Sequence, residues 1–294
     1  MEDQAARLRQ LVEEKVGNPS PTEEVSTPAA RTIAVTSGKG GVGKTNFTVN
    51  LAIALSKAGK RVIIIDADLG MANVDVLMGT VSKYNLSHLS REDVSLEDVL
   101  LQGPYGIQYI SGGSGIEHIA DFSPLERQRL MKKLFACENM ADIILIDTGA
   151  GIGKNVLDFI LAADEVLLLT TPEPTALTDA YAVMKAYSLY AGNKNLRLVV
   201  NRVYDESESR EVLTKLRSTS ERFLQMPLEC LGYIFEDRSM MYAVRQQVPL
   251  LVSKPDAAAA KCVAAIAENL LYGAPVKVKK GWKAFLQRFL DFSK

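Results

Sequence analysis

Histidine and cysteine are scarce in this chain, and their scarcity removes whole classes of chemistry. The 294 residues hold two histidines, His88 and His118, too isolated from each other to suggest a metal site. The three cysteines, Cys137, Cys230 and Cys262, are odd in number and form no C-x-x-C pair, which argues against a disulfide framework or structural zinc. Each has apolar neighbours, as a reduced and partly buried thiol does. Excess charge is absent too. A formal net charge of −1 gives no bulk attraction to nucleic acid or membrane, so any such affinity must be local. No run of 18 apolar residues exists, and the charged N-terminus lacks an apolar signal core. The expectation is a cytoplasmic protein.

What the chain does have is apolar content, 47 % of residues, enough for one sizeable core. Residues 1–16 carry apolar positions at Ala5, Leu8, Leu11 and Val12 flanked by charge, the pattern of a short helix. Residues 17–30 hold Pro19, Pro21 and Pro28 among Ser, Thr and Glu and read as a linker. From 31 to 273, apolar strand-like runs at 31–36, 62–65, 107–110, 143–146, 166–170, 196–200 and 231–234 alternate with helical patterns. Near-continuous apolar strands separated by helices predict an α/β domain with a mostly parallel sheet flanked by helices in three layers. Residues 274–294 form a separate C-terminal zone.

The most informative motif is the run Gly38-Lys39-Gly40-Gly41-Val42-Gly43-Lys44-Thr45, placed between an apolar strand and a helix opening at Asn46. This is the P-loop pattern G-x-x-x-x-G-K-[S/T] in its proper strand–loop–helix context. Glycines let backbone N–H groups converge on phosphate oxygens, and the following helix turns its positive end toward them. Lys44 is expected to neutralise the β- and γ-phosphates, and the Thr45 hydroxyl to ligate Mg²⁺. A tight turn of no chemical consequence would not need Lys-Thr or both flanks. Residues 143–146, Ile-Ile-Leu-Ile, then deliver Asp147 at a strand tip, where it is expected to hold Mg²⁺ through water. Thr148-Gly149-Ala150-Gly151 follows as a glycine-rich switch.

The second lysine, Lys39, makes the loop K-G-G-V-G-K-T, which resembles the deviant Walker motif of the MinD/ParA class of P-loop ATPases (the SIMIBI NTPases). That resemblance implies ATP/ADP and Mg²⁺ as ligands, and an ATP-dependent homodimer in which Lys39 reaches the partner's nucleotide. Residues 66–75, D-A-D-L-G-M-A-N-V-D, resemble the class's switch I. By that match Asp66 contacts the Mg²⁺ shell and Asp68 orients the attacking water; a solvated acidic turn is the plain alternative. Asn201-Arg202 at a strand end resembles the adenine-contacting Asn of the class, and Val203-Tyr204 after it breaks the N-K-x-D guanine signature, so ATP is favoured over GTP. Thr171-Pro172-Glu173-Pro174 and Phe235-Glu236-Asp237 fit the pattern as strand-end loops.

The two termini narrow the resemblance. On a helix, Val278, Trp282, Phe285, Leu286 and Phe289 share one face, with Lys279, Lys280, Lys283, Gln287 and Arg288 mostly on the other. A basic, aromatic amphipathic helix suits an anionic membrane surface, each basic residue near lipid contributing about 1 kcal/mol. A terminal helix docked on its own domain is the competing expectation. At the other end, Asp3-Gln4-Ala5-Ala6-Arg7-Leu8-Arg9 resembles the D-Q-A-x-x-L-R element of FlhG (YlxH/FleN-like) proteins, MinD relatives that control flagellar number and placement. The resemblance implies that this element activates the SRP-type GTPase FlhF, with Gln4 acting at its active site and Leu8 docking, and that flagellar switch (C-ring) components are further partners.

A ParA-type partition ATPase would need a basic DNA-binding patch. Arg210, Lys215, Arg217 and Arg222 are interleaved with Glu208, Glu211 and Glu221, so no specific nucleic-acid partner is expected. An iron–sulfur ATPase would need cysteines near the switches, and residues 148–156 have none. Plain MinD division-site selection shares the ATPase and the helix but not residues 3–9. The reading is a cytoplasmic ATPase that joins the inner face of the membrane when ATP is bound.

Overall fold

The computed structural model describes residues 29–68, 73–113, 122–191, 195–273 and 281–292. The proposed activating element at 1–16, with Gln4 and Leu8, lies outside them, as do most of the 17–30 linker and Lys279 and Lys280.

Eight strands form one sheet in the order β3-β4-β2-β5-β1-β6-β7-β8. They are β1 (Arg31–Ser37), β2 (Val62–Ala67), β3 (Leu100–Gln102), β4 (Gln108–Ile110), β5 (Ile143–Ala150), β6 (Glu165–Thr170), β7 (Leu196–Val203) and β8 (Glu229–Phe235). All neighbours pair in parallel except β3 with β4. The antiparallel edge strand β3 was not anticipated. Its three residues, Leu-Leu-Gln, are too few to give a period, and only pairing with β4 makes them a strand.

The β-branched central strands are buried on both faces, so their side chains alternate between two cores. Ile63, Ile65, Ile144 and Ile146 enter one core; Val62, Ile64, Ile143 and Leu145 enter the other. The second core is covered by α1 (Lys44–Lys57), α2 (Asn73–Met78), α9 (Arg238–Arg245), α10 (Leu250–Ser253) and α11 (Ala258–Tyr272). The first is covered by α3 (Leu96–Val99), α4 (Pro124–Phe135), α5 (Cys137–Met140), α6 (Lys154–Ala162), α7 (Pro174–Tyr190), α8 (Glu206–Leu224) and the terminal α12 (Gly281–Phe292).

β1 lies between β5 and β6, and the β1–α1 loop leaves from its carboxyl end, where parallel sheets place ligands. At the opposite, amino-terminal ends of the strands, buried Glu165 of β6 accepts from both Arg31 of β1 and Arg197 of β7.

Candidate nucleotide-binding site

Gly43 sits at φ 98°, a left-handed conformation that turns the P-loop into the first turn of α1. A Cβ there would lie 2.7 Å from the Asn201 amide nitrogen. That nitrogen donates a 2.7 Å bond to the Val42 carbonyl, so β7 braces the loop from the side. Ser37 Oγ braces it from β1, donating to the Lys39 carbonyl at 2.7 Å. The loop residues 38–46 therefore form one preorganised cradle, with Lys44 largely buried at its head.

Asp66 and Asp147 face each other as register partners on β2 and β5. Asp147 is fully buried. Its Oδ1 accepts from Thr48 Oγ1 at 3.1 Å, whereas its Oδ2 has no hydrogen-bond partner. Burial pushes its carboxyl up to about 6, against the pull of the Thr45 and Thr48 hydroxyls and of Lys44. Burial, and then the neighbouring Asp147 charge, push Asp66 up to about 7. Both of its oxygens are in use, Oδ1 by the Asp68 N–H at 3.1 Å and Oδ2 by the Asn73 and Val74 N–H groups at 3.0 and 3.1 Å. Asp66 thereby ties switch I to the start of α2. A buried carboxylate pair with one orphaned oxygen beside a lysine and a hydroxyl is a donor set that fits a hard divalent cation such as Mg²⁺. Among the described residues no cluster of three or more His, Cys, Asp or Glu could cage a metal by itself. Phosphate and water would complete the shell of such an ion.

Asp68 lies beside the glycine-rich switch at 148–151: a Cβ on Gly149 would lie 3.8 Å from its Oδ1. Lys39 is turned to its own chain, donating to Glu173 Oε2 at 2.8 Å and to Thr175 Oγ1 at 2.9 Å at the start of α7. The Thr171–Pro174 turn, read from sequence as a strand-end loop of little specificity, thus holds the deviant lysine. For Lys39 to reach a second molecule this contact must open.

A cavity of about 300 Å³ adjoins the loop between Asn201 and α9. Its polar lining includes Asn201 together with Asn46, Glu236, Asp237 and Arg245; the Asn201 Nδ2 is committed to Val42, which leaves its carbonyl oxygen to accept. Arg202, in the left-handed region at φ 60°, flanks it 3.9 Å from Glu236. Ile234, Met240, Met241 and Val244 supply the apolar wall. Sequence reasoning missed the α9 side. The available signal was the apolar spacing 240, 241, 244 just after a strand end, but eight residues gave it little weight. After Asn201-Arg202, Val203 is buried and Tyr204 is exposed.

The terminal helix is docked on its own domain. Trp282, Phe285, Leu286 and Phe289, assigned to lipid, are buried in a groove formed by Leu130, Met131 and Leu134 of α4, Phe159 of α6, and Ile65, Ile146 and Leu86. Phe289 stacks on Phe159 with ring centroids 4.4 Å apart, and Trp282 on Phe285 at 5.0 Å. The Trp282 indole N–H donates to the Leu134 carbonyl at 2.6 Å. Lys283 and Gln287 face solvent, as an amphipathic helix requires. The physical reason is complementarity: lipid and an apolar groove select the same face, and this domain supplies the groove. No helix among the described residues is long and apolar enough to cross a membrane.

The ParA family model, described as the NUBPL iron-transfer P-loop NTPase, matches residues 29–271. The chain belongs to the ParA family of P-loop NTPases. Within that family it is similar to the antiactivator FleN of Pseudomonas aeruginosa, 40 % identical over 88 % of this chain and 93 % of the relative. It is 33 % identical to the flagellum site-determining protein YlxH of Helicobacter pylori over 99 % of each chain. The septum site-determining protein MinD of Pyrococcus horikoshii, solved in complex with Mg-ADP, has a TM-score of 0.68 at 26 % identity, covering 85 % of this chain and 99 % of that one. The chain is thus a MinD-like ATPase of the FleN/YlxH (FlhG) kind, in the α/β fold read from its sequence.

Proposed function

We propose that this protein regulates flagellar number and placement through an ATP-controlled cycle of dimerisation and membrane association. Its similarity to FleN and YlxH along nearly the whole chain carries the reading. In the cycle, residues 38–46 cradle the triphosphate, Lys44 neutralises the β- and γ-oxygens, and Asn201 and α9 receive adenine. Thr45, Asp66 and Asp147 would hold Mg²⁺, which when bound would offset the negative charge of the phosphates. Asp68 orients water against the γ-phosphate. Lys39 leaves Glu173 to reach the partner's nucleotide, and release of α12 gives the dimer two lipid-binding helices. Each is weak alone, but two act together, so membrane residence follows dimerisation.

Asp68→Ala is expected to keep ATP binding and to slow hydrolysis by about a hundredfold or more, the usual weight of a group acting on the attacking nucleophile. Dimers should then accumulate in ATP and Mg²⁺, read by size-exclusion chromatography. A protein that stays monomeric with ATP bound would remove the proposed role of Asp68.

The partner assignment rests on residues 3–9. A peptide of residues 1–16 is expected to raise GTP turnover by purified FlhF, and the Gln4→Ala peptide is not, because a side-chain amide can orient water in the partner's site. Leu8→Ala should weaken docking through lost apolar contact. Equal turnover with and without the wild-type peptide would return the chain to the general MinD-like class.

A further inference from the structure

Two carboxylates from elsewhere in the domain accept from the first turn of helix α12. Gly281 N donates to Asp164 Oδ2 at 3.3 Å, and Lys283 N donates to Glu138 Oε2 at 2.8 Å. Asp164 also receives Arg288 from the same helix, 3.7 Å from its Oδ1. The two carboxylates thus satisfy N-terminal N–H groups that a free helix leaves to water. Asp164 itself is fixed from behind by the Thr32 N–H and hydroxyl, at 3.1 and 2.8 Å.

The residue between these carboxylates fits only as glycine. Gly281 has φ +78°, and a Cβ on it would stand 2.6 Å from Ala29 Cβ and 3.1 Å from Glu138 Oε1. Ala29 lies two residues before β1, so the chain entering the domain closes one side of the seat. None of these restraints acts on a helix that has left the groove. There alanine is the better helix former, free of the left-handed requirement.

We propose that Gly281, seated between Asp164, Glu138 and Ala29, is a latch that sets how much of the terminal helix is docked, independently of nucleotide. This rests on the reading of α12 as a lipid-binding helix. The apolar face cannot set that balance, because groove and lipid both reward it. The seat can, since it exists only in the docked state. Its polar contacts favour docking, and its steric demand makes the favour conditional on one residue type.

Trp282 is the only tryptophan in the chain and lies in the groove, so it reports release without lipid. In ADP and Mg²⁺, Gly281→Ala is expected to shift the equilibrium toward release by about tenfold, the usual cost of a left-handed backbone for a non-glycine residue. Two quantities are read on the full chain: iodide quenching of Trp282, and the apparent affinity for phosphatidylglycerol-containing vesicles. Glu138→Gln should shift both in the same direction by less, since it removes charge and keeps shape. The double variant should shift both furthest. Asp164 is left intact, because its bonds to Thr32 also hold β1. Unchanged circular dichroism and nucleotide binding exclude a folding defect. Trp282 quenching equal to wild type in the double variant overturns the latch. Increased quenching with no gain in vesicle binding upholds the latch and overturns the lipid reading on which it rests.

Discussion

Lys44→Ala is expected to weaken ATP binding by about a hundredfold or more. Two charge-assisted hydrogen bonds to phosphate are lost, at about 1.5–3 kcal/mol each, and every 1.4 kcal/mol is roughly tenfold in affinity. The loss has a second source. Lys44 helps hold the Asp147 carboxyl down against the burial that pushes it up to about 6. Without the lysine cation that carboxyl moves further upward and spends more of its time protonated near neutral pH. A protonated Asp147 offers a weaker oxygen to Mg²⁺, so raising Mg²⁺ should restore that part of the affinity by mass action and leave the part lost with the lysine–phosphate bonds unrestored. The measurement is a titration with a fluorescent ATP analogue at several Mg²⁺ concentrations. Wild-type affinity in the variant would mean that the loop does not enclose phosphate as its geometry implies.

That prediction could have been written from the sequence, and the reason is local. Within the P-loop, within each switch and within the strand that ends at Asp147, the residues lie a few positions apart, so the spacing inside each motif carries the information. The same holds for strands such as 143–146, whose continuous apolar run marks burial on both faces. What escaped is what depends on distant segments meeting. Glu173 holds Lys39 across 134 positions, and nothing near either residue announces the other. The α9 wall of the base cavity becomes one only because β8 brings it beside Asn201. Edge strand β3 exists only through its pairing with β4. The amphipathic face of α12 was legible to the residue, but its destination was not. A stripe of Trp, Phe and Leu satisfies a groove as well as a bilayer, and the groove is assembled from β2, β5, α4 and α6.

Removing residues 275–294 is expected to abolish ATP-dependent sedimentation with anionic liposomes while leaving ATP-driven dimerisation in place. It should also bare Ile65, Leu130, Leu134, Ile146 and Phe159, so an apolar dye should bind the truncated protein in solution. A substitution separates these two consequences. Phe285→Glu sets a charge in the middle of the buried face, and an unpaired charge there is too costly to keep. The helix can escape that cost by leaving the groove, so the penalty is capped at the free energy of docking, and the ATPase domain stays folded. On the vesicle the same glutamate opposes insertion and is repelled by anionic headgroups. Phe285→Glu should therefore expose Trp282 to iodide, as Gly281→Ala does, yet lose vesicle binding where Gly281→Ala gains it. Opposite lipid outcomes from two released helices would tie membrane affinity to the apolar face itself. If the truncated chain still sediments with vesicles in ATP, the anchor lies elsewhere and α12 is a structural helix of the domain.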